Sequence, residues 1–227
     1  MKTHGLEALK AADPEFFAAC VELVNAPRHS TLDAKTRELV ALAVNSAVTH
    51  LHEPAVRRHI RAALDEGATR EEILETFQLV AVLGIHAAST GFPLLCDLPP
   101  SPKTDTDPDR EAIKAEFIQR RGYWDASWED VLQRAPAFFA AYLNFSAIPW
   151  ARNVLEPKVK ELIYIAIDAS ATHMFVDGLK VHIQNATNHG ATPDEIVTVL
   201  EIASTIGIQT LELGVPLLQE ELDRRSG

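Results

Sequence analysis

The sequence predicts an all-α protein made of two fused copies of one helical unit. Three observations carry this. The pattern of residues 35–86 recurs 123 positions later with 16 identities and no gap, including Lys35/Lys158, Glu38/Glu161, His50/His173, His59/His182 and Gly67/Gly190. Apolar residues fall at helical spacing, and helix start and stop signals recur at matching places in both copies. No segment alternates cleanly between polar and apolar, and no hairpin turn signal stands between β-branched runs. A repeat of this kind decides the architecture before any local reading does.

The elements follow in order. Phe16-Phe17-Ala18-Ala19 resembles Phe138-Phe139-Ala140-Ala141 and marks a leading helix in each copy, here offset by 122. Leu32-Asp33 opens a helix from Ala34 to about Thr49, with Leu39, Leu42, Ala43 and Ala47 on one face. A turn at Leu51–Pro54 follows, because proline suits the start of a helix and not its interior. The next helix runs to Glu66 and stops at Gly67, which tolerates a left-handed C-terminal position. Thr69-Arg70-Glu71-Glu72 reads as a capping box, as does Thr192-Pro193-Asp194-Glu195. The third helix carries Ile73, Phe77, Val80 and Leu83 inward up to Gly84.

The boundaries read as a first lobe at 1–98, a Pro- and Asp-rich linker at 99–112 and a second lobe at 113–227. Tyr123, Trp124 and Trp128 form an aromatic group with no counterpart in lobe one; helix packing is the expected role, a cap over a pocket the alternative.

Composition sets limits on function. The 227 residues are 47% hydrophobic, enough for a core, and no apolar run approaches the ~20 residues of a membrane helix. A net charge of −11 disfavours nucleic acid and anionic membrane as partners, since both need clustered Lys and Arg. The first residues show no apolar signal-peptide core, so a cytoplasmic location is expected. Cys20 and Cys96 belong to no CxxC pair and are expected to be reduced, small buried side chains.

Two stretches, Lys35–Val44 and His59–Ile73, with their copies Lys158–Ile167 and His182–Ile196, resemble the carboxymuconolactone decarboxylase and alkylhydroperoxidase D superfamily. The resemblance implies an alkylhydroperoxidase-D-like helical bundle, duplicated in tandem. Its peroxidase branch places a CxxC four residues before the helix histidine and a glutamate on the preceding helix. Here those thiol positions hold Ala55 and His52 in lobe one, and Gly178 and Phe175 in lobe two. A thiolate is the nucleophile of that chemistry, so a disulfide-cycling peroxidase is not expected.

The decarboxylase branch is implied to work without cysteine, metal or organic cofactor, releasing carbon dioxide from a lactone carboxylate as a double bond moves. Histidine suits the proton step because its ordinary pKa lies near neutrality. His59 and His182 are the candidate proton-transfer groups, with Glu38 and Glu161 to orient or charge them. Arg57, Arg58 and Arg61 are candidates to clamp an anionic substrate, with His50 and His173 as further binding residues. Lobe two offers Lys180, Gln184 and Asn185 in that region, an asymmetry suggesting that one lobe works while the other has drifted. On one straight helix Glu38 and His50 would stand ~18 Å apart. A Glu38–His59 link would need water, a kink or the neighbouring lobe.

Simpler readings stand beside these. Glu38 could be a surface carboxylate or salt-bridge partner, and His59 a core histidine bonded to backbone. His50 and His173 read best as caps donating to the last carbonyls of their helices. His50, His52, His59, His86 and Glu38 could supply metal ligands, but their spacing matches no strong motif, and no metal is expected.

The alternative function is an oxidoreductase relative that has lost its redox cysteines and serves as a metal-binding protein or oligomeric scaffold. Relatives are implied to assemble as rings of six units, so a fused pair would form a trimer. The apolar closing helix Ile202–Leu218 would supply that interface.

Overall fold

The computed structural model describes residues 4–29, 31–95, 98–99 and 109–226. Its first half runs through helices α1 (His4–Ala12), α2 (Pro14–Asn25), α3 (Ala34–Ser46), α4 (Glu53–Asp65), α5 (Arg70–Val80) and α6 (His86–Gly91), with a 3₁₀ turn at Ala81–Ile85. The second half comprises α7 (Arg110–Arg121), α8 (Ser127–Arg134), α9 (Pro136–Ala151), α10 (Pro157–Ala169), α11 (Val176–Asn188), α12 (Pro193–Ser204) and α13 (Gln209–Ser226). No strand occurs among the described residues. Cys96 and most of the expected linker lie outside them, and α7 already begins at Arg110.

The local signals act as the residues suggest. Asp33 caps α3 by accepting from the Thr36 amide at 2.9 Å. Both capping boxes form: Thr69 accepts from the Glu72 amide while Glu72 accepts from the Thr69 amide, and Thr192 and Glu195 repeat the exchange. Gly67 and Gly190 end α4 and α11 at φ of 83° and 85°, where a side chain would be strained. α3 stops at Ser46, three residues short of the expected end, because Ala47 turns extended and Leu51 takes φ 47°. Met174, at the matching place in lobe two, has φ 54°.

The two halves share one core. Leu39, Leu42 and Val44 of α3 pack with Leu162, Ile163 and Ile165 of α10, all essentially buried. α5 also packs on α10 and α12 on α3, so each half's third helix meets the other half's first repeat helix. A second apolar cluster gathers Phe117, Trp128, Val131, Leu132 and Phe139, and Tyr123 and Trp124 pack against it. The aromatic group thus packs helices, as expected. α1 packs on α13, and Cys20 is a buried free thiol beside Leu9.

The closing segment is not one helix. A 3₁₀ turn at Thr205–Ile208 breaks it, and Ile202 and Ile206 are buried in the shared core while Leu213, Leu217, Leu218 and Leu222 stand exposed on α13. Such turns join successive helices into continuous stretches at 70–95 and 193–226. By length and composition these could cross a membrane, which the sequence reading did not anticipate. Both stretches give side chains, among them Leu79, Leu83 and Val199, to the shared core.

Candidate functional site

α3 and α4 form an antiparallel hairpin, and this places Glu38 beside His59. The His59 Nδ1–H donates to Glu38 Oε2 at 2.7 Å. No water, kink or neighbouring lobe is needed: α3 ends at Ser46, earlier than expected, and the reversal closed by the His52 amide on the Asn45 carbonyl brings α4 back directly against it. Lobe two repeats the contact, with His182 Nδ1 donating to Glu161 Oε2 at 2.6 Å and Asn185 Nδ2 to Glu161 Oε1 at 3.3 Å. The two carboxylates differ in access. The Glu38 side chain is 24% exposed and that of Glu161 only 2%.

In lobe one the pair borders a cavity of about 150 Å³. Arg37, Glu38, Asn45, Arg58 and His59 form one wall, and Thr205, Gln209 and Glu212 of the other half form the opposite wall. Since Nδ1 of His59 is held by Glu38, Nε2 is the nitrogen left for a guest. Of the three arginines singled out in the sequence, only Arg58 reaches this cavity, where it lies 3.3 Å from Glu212 Oε1. Its Nε is shielded and finds no hydrogen-bond partner. Arg57 pairs with Glu53 on the exposed surface, and Arg61 is exposed.

His50 and His173 do not cap carbonyls. His50 Nε2 donates to Gln209 Oε1 at 2.6 Å, and Gln209 Nε2 donates to Asn45 Oδ1 at 2.5 Å. His173 Nε2 lies 2.6 Å from Nδ1 of His86. His86 and Gln209 are equivalent positions of the repeat, so each lobe sends this residue into the other lobe's site. Sequence reasoning missed Arg37, Asn45, Gln209 and Glu212 as cavity residues. The offset of 123 between His86 and Gln209 was the one available pointer.

Lobe two has less room beside its histidine. Two small cavities, about 70 and 30 Å³, lie beside His182, bounded by Tyr123, Trp128 and His86, with Tyr164 lining the smaller. The Tyr164 ring lies 4.6 Å from that of His182 and takes the place of Ala41 in lobe one. Val181 is the counterpart of Arg58, so Lys180, Gln184 and Asn185 do not reproduce the cavity arginine.

The polar centre of lobe two also differs. Asp168 stands where lobe one has Asn45; its side chain is 1% exposed, with Oδ1 3.8 Å from His86 Nδ1 and Oδ2 3.9 Å from His182 Nε2. Burial pushes its carboxyl up to about 7, although His182 works against the shift. Burial, with the charges of His173 and His182, drops His86 to about 3, and burial also lowers His173. Among the described residues, His86, Asp168 and His173 are the group whose ligand atoms converge, all within 4.8 Å. The metal-ligand set that the sequence suggested does not assemble, since His86 crosses to lobe two and His59 is engaged by Glu38.

A sequence model of the Carboxymuconolactone decarboxylase family matches residues 14–94 and 136–213. No curated protein sequence matches the chain. The crystal structure of a provisionally named gamma-carboxymuconolactone decarboxylase subunit from Burkholderia xenovorans is similar at 44% identity, with a TM-score of 0.91 over 98% of this chain and 92% of that one.

Proposed function

Because the chain belongs to the carboxymuconolactone decarboxylase family, we propose that it is a carboxy-lyase-like enzyme whose working site is the lobe-one cleft. The observation that carries this reading is the Glu38–His59 hydrogen bond, 2.7 Å, at the wall of an open cavity. A cavity of about 150 Å³ accepts a single-ring guest. The substrate is a small carboxylated lactone. Arg58, with a shielded and unpartnered Nε–H, takes a substrate carboxylate, and Arg37 adds positive charge to the same wall.

In the reaction, the bond from the ring to the departing carboxylate breaks and carbon dioxide leaves. The electron pair passes into the conjugated lactone as a dienolate. Protonated His59 returns a proton through Nε2 to the far carbon, and Glu38 holds Nδ1 and offsets the imidazolium charge. The acid–base step asks for no group beyond this pair. The remaining candidate, His50, fixes Gln209 against Asn45 at the cavity edge and so shapes the cleft from behind.

The test is carbon dioxide release from a carboxylated muconolactone by the purified chain. Turnover by the wild type, reduced about 10²- to 10⁴-fold in His59→Ala, is the expected result. Unchanged turnover in that variant overturns the assignment.

A cytoplasmic, homotrimeric enzyme fits this reading. The exposed Leu213, Leu217, Leu218 and Leu222 on α13 offer an apolar face to another copy. Light scattering at three times the 25.0 kDa chain mass would support the trimer, and a monomer mass would remove it.

A further inference from the structure

We propose that His86, Asp168 and His173 form a binding site for one divalent transition-metal ion, built across the two halves in lobe two and bordered by His182. This inference is independent of the lobe-one chemistry.

Lobe one fills the same three positions differently. There Asn45, His50 and Gln209 satisfy one another: His50 donates to the Gln209 carbonyl oxygen, and the Gln209 amide donates to that of Asn45. Amides close this network without any ion. Lobe two replaces Asn45 with Asp168 and Gln209 with His86, which exchanges two neutral amides for a carboxylate and an imidazole. That substitution removes the donors that closed the network and supplies metal-ligating atoms in their place.

The result is a buried carboxyl group with one oxygen left without a donor. Asp168 Oδ2 is shielded from solvent and has no hydrogen-bond partner, and the side chain is 1% exposed. Its flanking nitrogens are His86 Nδ1 on one side and His182 Nε2 on the other, 3.8 and 3.9 Å from its two oxygens. A buried polar atom without a partner is costly, and a cation between these atoms would satisfy it.

The surroundings also resemble a metal shell. His182 is oriented through Nδ1 by Glu161, a carboxylate–histidine pair that fixes the tautomer, and its Nε2 lies 3.9 Å from Asp168 Oδ2 at the border of the site. His86 Nδ1 and His173 Nε2 now stand 2.6 Å apart, within hydrogen-bond distance. Opening to roughly 3.3 Å would seat an ion with bonds of about 2.1 Å in tetrahedral geometry. Gly178 explains how the carboxylate fits: a Cβ there would collide with Asp168 Oδ2 and the Phe175 ring, whereas lobe one carries Ala55 at that place. Imidazole and carboxylate ligands together suit zinc, iron and manganese rather than calcium or magnesium.

The experiment uses the full chain without a histidine tag, stripped with chelator. Zinc and cobalt are titrated separately, with elemental analysis after gel filtration and the cobalt visible spectrum as a second readout. One retained equivalent of zinc per chain is expected, together with a cobalt spectrum of a low-coordinate nitrogen and oxygen site. His173→Ala and Asp168→Asn should each weaken zinc binding about 100-fold or more, and His50→Ala in lobe one should leave it unchanged. Circular dichroism identifies any variant that fails to fold, and His173, half-buried at the helix turn, provides the readout if Asp168→Asn does not fold. No retained zinc in the wild type, or full retention in folded His173→Ala, overturns the site.

Discussion

The hydroxyl of Thr172 donates to that of Thr49 across 3.3 Å, although the two residues stand 123 positions apart and are each other's counterpart in the repeat. Equivalent residues can touch in this way only near a local two-fold axis. The left-handed residues Leu51 and Met174 follow two positions after each threonine. The axis therefore runs between the two hairpin turns, and a residue leaving one half beside it enters the other half. That is why Gln209 meets His50 and His86 meets His173. Neither site belongs to a single lobe.

The two lobes should differ in activity because only in lobe one do both members of the pair line a cavity. The Glu38–His59 pair faces the larger cavity, while Glu161 and His182 are walled by Tyr164, Tyr123 and Trp128. His182→Ala should leave kcat/KM for the lactone substrate near the wild-type value, whereas Glu38→Gln should lower kcat, because a neutral amide cannot offset the imidazolium. Steady-state kinetics on the two variants decide it. Equal losses in both would mean two working sites.

Arg58 should account for substrate binding where Arg57 and Arg61 do not. A charge-assisted hydrogen bond contributes about 1.5–3 kcal/mol, so Arg58→Ala should raise KM about 10- to 100-fold with a smaller change in kcat. Arg57→Ala should be silent, since its side chain is 65% exposed and pairs only with Glu53. A KM that moves in Arg57→Ala and not in Arg58→Ala would place the carboxylate elsewhere.

These contrasts mark the limit of what the sequence made legible. The helix caps and the glycine stops rest on neighbours within one turn or one hairpin, and the repeat on identities that need no gap, whereas the direct Glu38–His59 bond was not expected. The caps and stops follow from local spacing. The Asn45–Gln209–His50 chain does not, because it joins residues 164 and 159 positions apart. A repeat states that His86 and Gln209 are equivalent without saying whether their contacts lie within a copy or between copies. Packing of α5 on α10 and of α12 on α3 settles that, and no periodicity encodes it. Arg57, Arg58 and Arg61 looked alike in the sequence for a related reason. Which of three neighbouring residues on a helix faces a cleft depends on the element that covers it, here α13.

Acid should loosen the two capping-box hairpins together. Burial alone would raise Glu72 and Glu195, but hydrogen bonds from Lys35 or Lys158 and from the capping threonines hold both carboxyls below the ordinary 4.5. A carboxylate depressed in the folded state stabilises the fold above its unfolded value, and that contribution is lost as pH falls through the folded one. The contribution of these two groups to the urea midpoint should therefore be constant from pH 7 to about 5 and be lost below about 4.5. The double variant Glu72→Gln, Glu195→Gln should start lower and show a shallower drop. An identical acid slope in wild type and variant would remove these two groups as the cause.

The junction of the halves should depend most sharply on Lys160. Its ammonium, 1% exposed, lies 3.0 Å from Glu75 Oε1 on α5 and donates to the Pro149 carbonyl at 2.6 Å. Glu75 Oε1 also accepts from the Leu155 amide at 3.0 Å, so the carboxylate ties α5 of the first half to the α9–α10 turn of the second. Removing one partner of such a buried pair leaves an uncompensated charge and costs about 3–5 kcal/mol. Lys160→Met should lose stability on that scale in equilibrium urea unfolding. Adding Glu75→Leu to it should recover part of the loss, because the stranded carboxylate goes with it, even though the Leu155 amide then loses its acceptor. If the double variant is no more stable than Lys160→Met alone, the loss comes from packing around the lysine stem and not from the buried charge.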